Sequence, residues 1–486
     1  MALSRRRFVK RAAALIPAAF CWRGPAELLA STPGELTATR IAIDPARTHA
    51  VIPENFIGLG YEISSVARSG LLRSTNNVYV QLVKTLGKQG VIRVGGNTSD
   101  YASYSANAQP LSLPEGMGGS VINDAVLRDL GTFLETTGWQ LIWGLNLGRG
   151  TLKNAIEEAR AVVAAVHNQL VVFEIGNEPD LFSRHQVHRD SGYNYDSYLR
   201  QYRAWRDGLR KAIPDIRFAG PDIAVQTDWV VDFARDEGKD LVLLTHHYYR
   251  EGQNPASSAE KLLHSDPKLA PMLAKLNQAS RSSKVPYRIC ETNSFSGGGK
   301  VGVSDTFAAA VWVLEFMFTL ASAGCAGINI ETGVNQLGFI SSYSPIGDDE
   351  HGRYWAAPEY YGMLAFAQSG PGRVIDCTIE AGKKNISAYA VWSNEARVVL
   401  TVINKENGSD ASISVNPGAL ISFASASVCR LLAPSLESKA GVTLGGSTVS
   451  ANGIWKPARL EQLRSSGNEW QIQVPAASAA IVTLHR

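Results

Sequence analysis

The sequence predicts an α/β protein, a (β/α)8 TIM barrel with an accompanying C-terminal β-sandwich domain. Three observations carry that expectation. Eight short apolar runs alternate with longer amphipathic segments from about residue 55 to 335, the chain turns to β-branched runs separated by Asn, Gly and Ser after about residue 368, and one alternating run ahead of the barrel has that same late character.

The eight runs are FIGLGYEIS (56–64), GVIRVGGNT (90–98), QLIWGLNLG (140–148), LVVFEIGNE (170–178), RFAGPDIAV (217–225), LVLLTHHYY (241–249), PYRICETNS (286–294) and GINIETGVN (327–335). Segments such as LKNAIEEARAVVAAVHN and YDSYLRQYRAWRDGLRKAI lie between them, with apolar residues recurring at three and four. Strands that are apolar on both faces and alternate with helices belong to a parallel sheet, and eight such repeats close into a barrel. The later runs NISAYAVWS, ARVVLTVINK, SVCRLLAP, GVTLGG and EWQIQV read as short strands of a β-sandwich. TATRIAIDP (37–45) shares their alternation and is expected to join them. The expected organisation is a leader at 1–30, a barrel at 53–368, and a sandwich built from 36–52 and 369–486.

The leader reading rests on SRRRFVK (4–10), which sets paired arginines ahead of the apolar AAALIPAAF. That run is shorter and less apolar than a membrane span and resembles a twin-arginine export signal, with cleavage expected after Ala30. The expected location is periplasmic or extracellular, with no membrane association after cleavage. Residues 1–30 hold six Lys/Arg and one Asp/Glu, so the formal charge of +3 becomes −2 without them, from 41 basic and 43 acidic residues. A near-neutral mature chain gives no reason to expect a nucleic-acid partner. Cys290, Cys325, Cys377 and Cys429 show neither CxxC nor Cys/His ligand spacing, so they read as small apolar residues; no metal and no cofactor is expected. Oligomeric state is not legible.

In a barrel of this kind the working residues stand at the C-terminal ends of the strands. Glu178 ends the fourth run, in GNEP, and Glu291 ends the seventh, in ICETNS. One glutamate at a strand end is ordinarily a salt-bridge partner. Two on one rim, with Asn177 beside the first and the strand THHYY between them in sequence, are the minimal equipment for glycoside hydrolysis by an acid/base and a nucleophile.

GNEP, the HHYY strand and ETNSFSGGGKVGVSDTFAAAVWVLEF together resemble glycoside hydrolase family 79, most strongly from Glu62 to about Phe366. The resemblance implies an exported retaining β-glucuronidase, with Glu178 as general acid/base and Glu291 as nucleophile. Asn177 would hydrogen-bond the sugar 2-hydroxyl. Tyr248 would donate to the nucleophile, with His246 on the same strand face and His247 turned away. Glu62 and Asn97 would meet the outer sugar hydroxyls. Gly297, Gly298 and Gly299 would hold the substrate carboxylate through backbone N–H groups, as glycines can turn consecutive amides onto an anion.

The chain departs from the family at two positions. Ser296 stands where relatives carry a tyrosine, and the nearest candidate for a second tyrosine after the eighth strand is Phe339, which cannot donate a hydrogen bond. Losing one donor to a buried anion costs about 1.5–3 kcal/mol. Tyr343, Lys300 or Arg149 could supply what is missing. Three other readings therefore stand beside the β-glucuronidase: a β-glucosidase or β-xylosidase on the same scaffold, a heparanase-like endo-β-glucuronidase, and a carbohydrate-binding protein without turnover. Each takes a carbohydrate partner.

Overall fold

Each of the eight apolar runs becomes a strand: Gly58–Glu62, Val91–Gly95, Gln140–Leu145, Leu170–Ile175, Phe218–Ile223, Leu241–Tyr249, Tyr287–Asn293 and Ile328–Glu331. In chain order they form a closed barrel, all neighbours parallel, with the eighth pairing back onto the first through Glu331 opposite Gly60. The computed structural model describes residues 39–184, 187–336, 341–393, 397–418, 422–467 and 469–486; the expected leader and Phe339 lie outside them.

The strands show the burial that a sheet covered on both faces requires. Val91–Gly95 and Tyr287–Asn293 are buried at every position. Three of the outer helices, each with one apolar face, begin at side-chain caps: Asn123, Thr151 and Asn194 accept from the N–H groups of Val126, Asn154 and Ser197. Helix Phe307–Ser322, which follows the seventh strand, differs in being apolar on nearly all sides. It is enclosed because the C-terminal sheet covers the face that other barrel helices leave to water. Tyr389 stacks on its Phe318 with ring centroids 5.0 Å apart, and Ser387 and Lys405 reach its Glu315.

That sheet has eleven strands, ten on one hydrogen-bonded path and the eleventh, Glu461–Leu463, paired beside it onto Ser425–Leu432. It curls so that its two ends share one apolar cluster, Ile413 and Ile472 from one end meeting Leu400, Val428 and Val482 from the other. The run ahead of the barrel joins it as expected. Strand Thr39–Ile52 pairs antiparallel with Gly372–Glu380 and parallel with Ala411–Asn416.

The bottom of the barrel is closed by a polar latch. Arg288, buried in the seventh strand, donates to Asn329 Oδ1 at 2.7 Å and to the carbonyls of Asn55, Phe56 and Ile328, while Asn329 Nδ2 donates to the carbonyls of Leu59 and Val91. Gly58 and Gly327 make the room: a Cβ at either would fall within 2.6 Å of the Arg288 guanidinium. Burial lowers the Arg288 pKa to about 10, which still leaves it charged at neutral pH. Replacing Arg288 by Met removes the donors from several buried acceptors at once, and we expect a loss of about 3 kcal/mol or more. The check is the urea midpoint of unfolding; an unchanged midpoint would mean that water reaches those carbonyls.

Candidate active site

The C-terminal ends of the strands surround a cleft of about 1070 Å3, and Glu178 and Glu291 both line it. The fourth strand ends at Ile175, after which the chain turns through Gly176 at φ 87° and Glu178 at φ 50°. A residue ahead of proline is steered away from the right-handed helical region, and a left-handed glutamate carries about 1–3 kcal/mol of backbone strain. Neighbouring strands hold it there. Glu178 N–H donates to the Asp222 carbonyl at 2.8 Å, and Asp100 accepts from Asn177 N–H at 3.2 Å. Asp180 accepts from the N–H groups of Ala224, Val225 and Gln226, each at 2.9 Å.

Glu291 has a donor on each oxygen: Arg93 Nη1 at 2.6 Å on Oε2 and Tyr249 Oη at 2.9 Å on Oε1. One carboxylate oxygen of Glu178, one of Glu291 and a ring nitrogen of His247 lie within 4.8 Å of one another. Two carboxyls that close match the spacing of about 5–5.5 Å at which one can attack a sugar while the other protonates the leaving oxygen.

Arg93, with 0% of its surface exposed, organises the floor. Besides Glu291 it donates to Glu174 at 3.2 Å, Asp222 at 2.6 Å and Asn177 Oδ1 at 2.8 Å. His247 bridges two carboxylates, Nδ1 donating to Glu178 at 3.0 Å and Nε2 to Asp222 at 2.7 Å. Burial would push its pKa down, but Asp222 and Glu291 raise it well above the usual histidine value, so the ring is an imidazolium. Asp222 itself, despite burial, is held below the usual carboxylate range by Arg93 and His247. Burial drives the Glu178 pKa up; the His247 hydrogen bond opposes that shift, and the Glu291 charge adds to it.

The expected sugar contacts fall around this pair. Glu62 lines the cleft, but its carboxylate also accepts from the N–H groups of Asn97 and Thr98, and burial with the nearby Glu291 raises its pKa to about 7. Gly96 permits this, since at φ 72° a Cβ would sit 2.4 Å from the Glu62 carboxyl carbon. Asn97 lines the cleft and accepts from Asn177 Nδ2 at 3.1 Å, so the Asn177 amide is held between Arg93 and Asn97. Ser296, Gly297 and Gly298 line the same cleft. The three glycines have φ of 78°, 85° and 78°. Gly299 N–H is used internally, on Phe295, whereas those of Gly297 and Gly298 have no partner among the described residues.

Tyr343 lines the cleft beside this loop, its N–H on the Gly298 carbonyl at 3.3 Å and its ring stacked on Tyr249 at 6.2 Å. Its phenol stands on the cleft wall, whereas Phe339, the expected candidate after the eighth strand, lies outside the described residues. Lys300 turns its N–H onto Ser304, and the Arg149 guanidinium lies over the Tyr101 ring.

The phase of the sixth strand corrects the expectation for His246 and Tyr248. His247 and Tyr249, the alternate pair, bond to Glu178 and Glu291. Tyr248 donates to Asp266 at 2.9 Å, and His246, its pKa lowered to about 4 by burial, is neutral between Thr227 and the His247 carbonyl. The two-residue alternation holds, but its phase depends on the neighbours. Register shifts interrupt the pairing of this strand with the strands on both sides, between Pro221 and Ile223 and between Ile289 and Glu291.

Sequence reasoning passed over Arg93, Glu174, Asp222, His247, Tyr249 and Glu331, all in the site or beneath it. The available signal was charge inside runs expected to be buried on both faces, since such a residue needs a partner. Among the described residues, two groups have the composition of metal ligands: Glu178, His247 and Glu291, and Glu174, Asp222 and Cys290. In both, protein cations already balance the carboxylates, His247 and Arg93 in the first and Arg93 in the second.

The corrected phase is testable. Tyr249→Phe removes a hydrogen bond to a charged carboxylate and should slow hydrolysis of an aryl β-glycoside about ten- to hundredfold. Tyr248→Phe should cost much less, and the reverse ranking in kcat would restore the original phase.

The Glycosyl hydrolase family 79 C-terminal beta domain matches residues 388–481. The chain is 26% identical over 471 residues to a beta-glucuronidase of Aspergillus niger, covering 84% of this chain and 86% of that one. It is 27% identical over 446 residues to a beta-glucuronidase of Neurospora crassa, covering 78% and 77%. Among solved structures, a 4-O-alpha-L-rhamnosyl-beta-D-glucuronidase from Fusarium oxysporum 12S superposes with a TM-score of 0.75 at 20% identity, over 92% of this chain and all of the other. A GH51 alpha-L-arabinofuranosidase from Thermotoga petrophila RKU-1 does so at 0.68 and 14%, with the same coverage of each chain. With a barrel that carries paired glutamates on its rim, a C-terminal sheet that matches the family 79 C-terminal domain and two curated relatives that are beta-glucuronidases, the chain is a glycoside hydrolase similar to those of family 79.

Proposed function

We propose that the chain is a retaining β-glucuronidase that releases terminal β-linked glucuronic acid from glycans or glucuronide conjugates. The observation that carries this reading is the pairing of Glu178 and Glu291, oxygens within 4.8 Å, with the N–H groups of Gly297 and Gly298, which lack a partner among the described residues, on the wall of the same cleft. The two relatives at 26% and 27% identity, each a beta-glucuronidase, support it. The twin-arginine segment in residues 4–10 supports export to the periplasm or beyond.

In this mechanism a Glu291 oxygen bonds to the anomeric carbon as the bond from that carbon to the leaving oxygen breaks, and Glu178 gives its proton to that oxygen. Arg93 and Tyr249 orient the nucleophile. Esterification removes the Glu291 charge, and with it one cause of the raised Glu178 pKa. The His247 hydrogen bond then favours the ionised form of Glu178, which takes a proton from water as that water displaces Glu291. The Gly297 and Gly298 amides, with the Tyr343 hydroxyl, are placed to receive the substrate carboxylate. Each hydrogen bond to that charged group is worth about 1.5–3 kcal/mol.

The deciding test compares kcat/KM on an aryl β-D-glucuronide with that on the matching glucoside. The glucuronide should be strongly preferred, and preference for the glucoside would assign the scaffold to a neutral sugar. Glu178→Ala should slow hydrolysis of a poorly activated glucuronide about 10²- to 10⁴-fold, and a good aryl leaving group much less. Added azide should then yield the β-configured glucuronyl azide; an α-product would exclude retention. For the wild type, a raised Glu178 pKa places the loss of general acid on the alkaline side, so kcat on a poor leaving group should fall as pH rises. Insensitivity there would mean that Glu178 is not the acid.

A further inference from the structure

Glu331 ends the eighth strand and lines the cleft, with 2% of its surface exposed. Its backbone is fixed on both sides. The carbonyl accepts from Asn293 Nδ2 at 3.0 Å, and the next residue, Thr332, bonds the Gly60 carbonyl through both its N–H and its hydroxyl. The carboxyl lies flat against the first strand, where a Cβ on Gly60 would sit 2.4 Å from Oε2. Both carboxyl oxygens nevertheless lack a hydrogen-bond partner among the described residues.

A buried carboxyl with no partner calls for a ligand or a proton. Its charged and titratable neighbours come from five elements: Tyr61 and Glu62 on the first strand, Arg93 on the second, His247 and Tyr249 on the sixth, Glu291 on the seventh, and Tyr343 on the loop beyond the eighth. The Arg93 donors are on Glu174, Asp222, Glu291 and Asn177, and those of His247 on Glu178 and Asp222. Neither cation hydrogen-bonds Glu331. Burial, then Glu291 and Glu62, raise its pKa well above the ordinary carboxyl value, so it carries its proton. The eighth-strand loop also docks on the glycine loop through Ser342 and Tyr343, which places Glu331 on the side of the cleft where Gly297 and Gly298 present their amides.

We propose that Glu331 is a neutral carboxylic acid in the floor of the sugar subsite that donates a hydrogen bond to the carboxylate of the bound sugar. The inference rests on the β-glucuronidase reading and adds a specificity-determining residue to it. A protonated carboxyl offers one donor, and a sugar carboxylate can accept it where a neutral hydroxymethyl group gains less. An ionised Glu331 would instead repel the substrate, so binding of the uronate should weaken as pH rises through its titration.

The experiment measures kcat/KM on matched aryl β-D-glucuronide and β-D-glucoside, across pH, for the wild type, Glu331→Ala and Glu331→Gln. Gln is isosteric and neutral and still donates. Glu331→Ala should lower the glucuronide-to-glucoside ratio about tenfold, as expected for one hydrogen bond to a charged group. Glu331→Gln should keep most of that ratio and abolish the alkaline rise of KM for the glucuronide. A wild type that prefers the glucuronide, with a ratio that Glu331→Ala does not move, overturns the inference alone. Equal loss of the ratio in both variants also overturns it, since a purely structural carboxyl would behave so. A wild type that prefers the glucoside overturns the glucuronidase reading and this inference together.

Discussion

One buried cation holds the site together. Arg93 is fully enclosed inside the barrel and ties the fourth, fifth and seventh strands to its own through Glu174, Asp222 and Glu291, with Asn177 on the same guanidinium. Desolvating that many charges brings little net stability, and removing one partner from such a cluster costs about 3–5 kcal/mol. Its value here is positional. A planar guanidinium with fixed donor directions sets where the Glu291 carboxylate can lie, so that carboxylate is oriented before any ligand arrives.

The acidity of the cleft follows from that arrangement. Glu62, Glu178, Glu291 and Glu331 all line it, yet the cations in hydrogen-bond contact with them serve Glu178 and Glu291. For the two carboxyls without a cation, burial and the neighbouring Glu291 charge raise the pKa, to about 7 for Glu62 and well above the ordinary carboxyl value for Glu331. A site with carboxyls of raised pKa and two backbone amides that lack a partner among the described residues, beside the Glu178 and Glu291 pair, is suited to an anionic sugar. The C-terminal sheet works at one remove, by covering the apolar helix Phe307–Ser322 that follows the seventh strand, which carries Glu291.

Much of this was legible residue by residue. The eight apolar runs, the strand ahead of the barrel, the two glutamates at strand ends and the glycine loop all stand out locally, because burial on both faces and a need for left-handed backbone leave marks in composition. Arg93 stood in plain view in GVIRVGGNT, as did Glu174 and Asp222 in their runs; a charge in a strand covered on both faces is a demand for a partner. Ser296 and Phe339 pointed to a weakened subsite, whereas Tyr343 brings a phenol to the same wall from a loop whose path no local pattern encodes.

The sequence by itself determined the barrel and the two glutamates at strand ends that meet in one cleft, because each follows from local periodicity and from the chain direction of parallel strands. Only the tertiary structure decided which of two adjacent histidines and two adjacent tyrosines face the reacting center, and which carboxyls share a cation. Those depend on register between strands distant in sequence, where a shift of one residue exchanges the two faces, and on a charge balance that exists only once the strands have closed around Arg93.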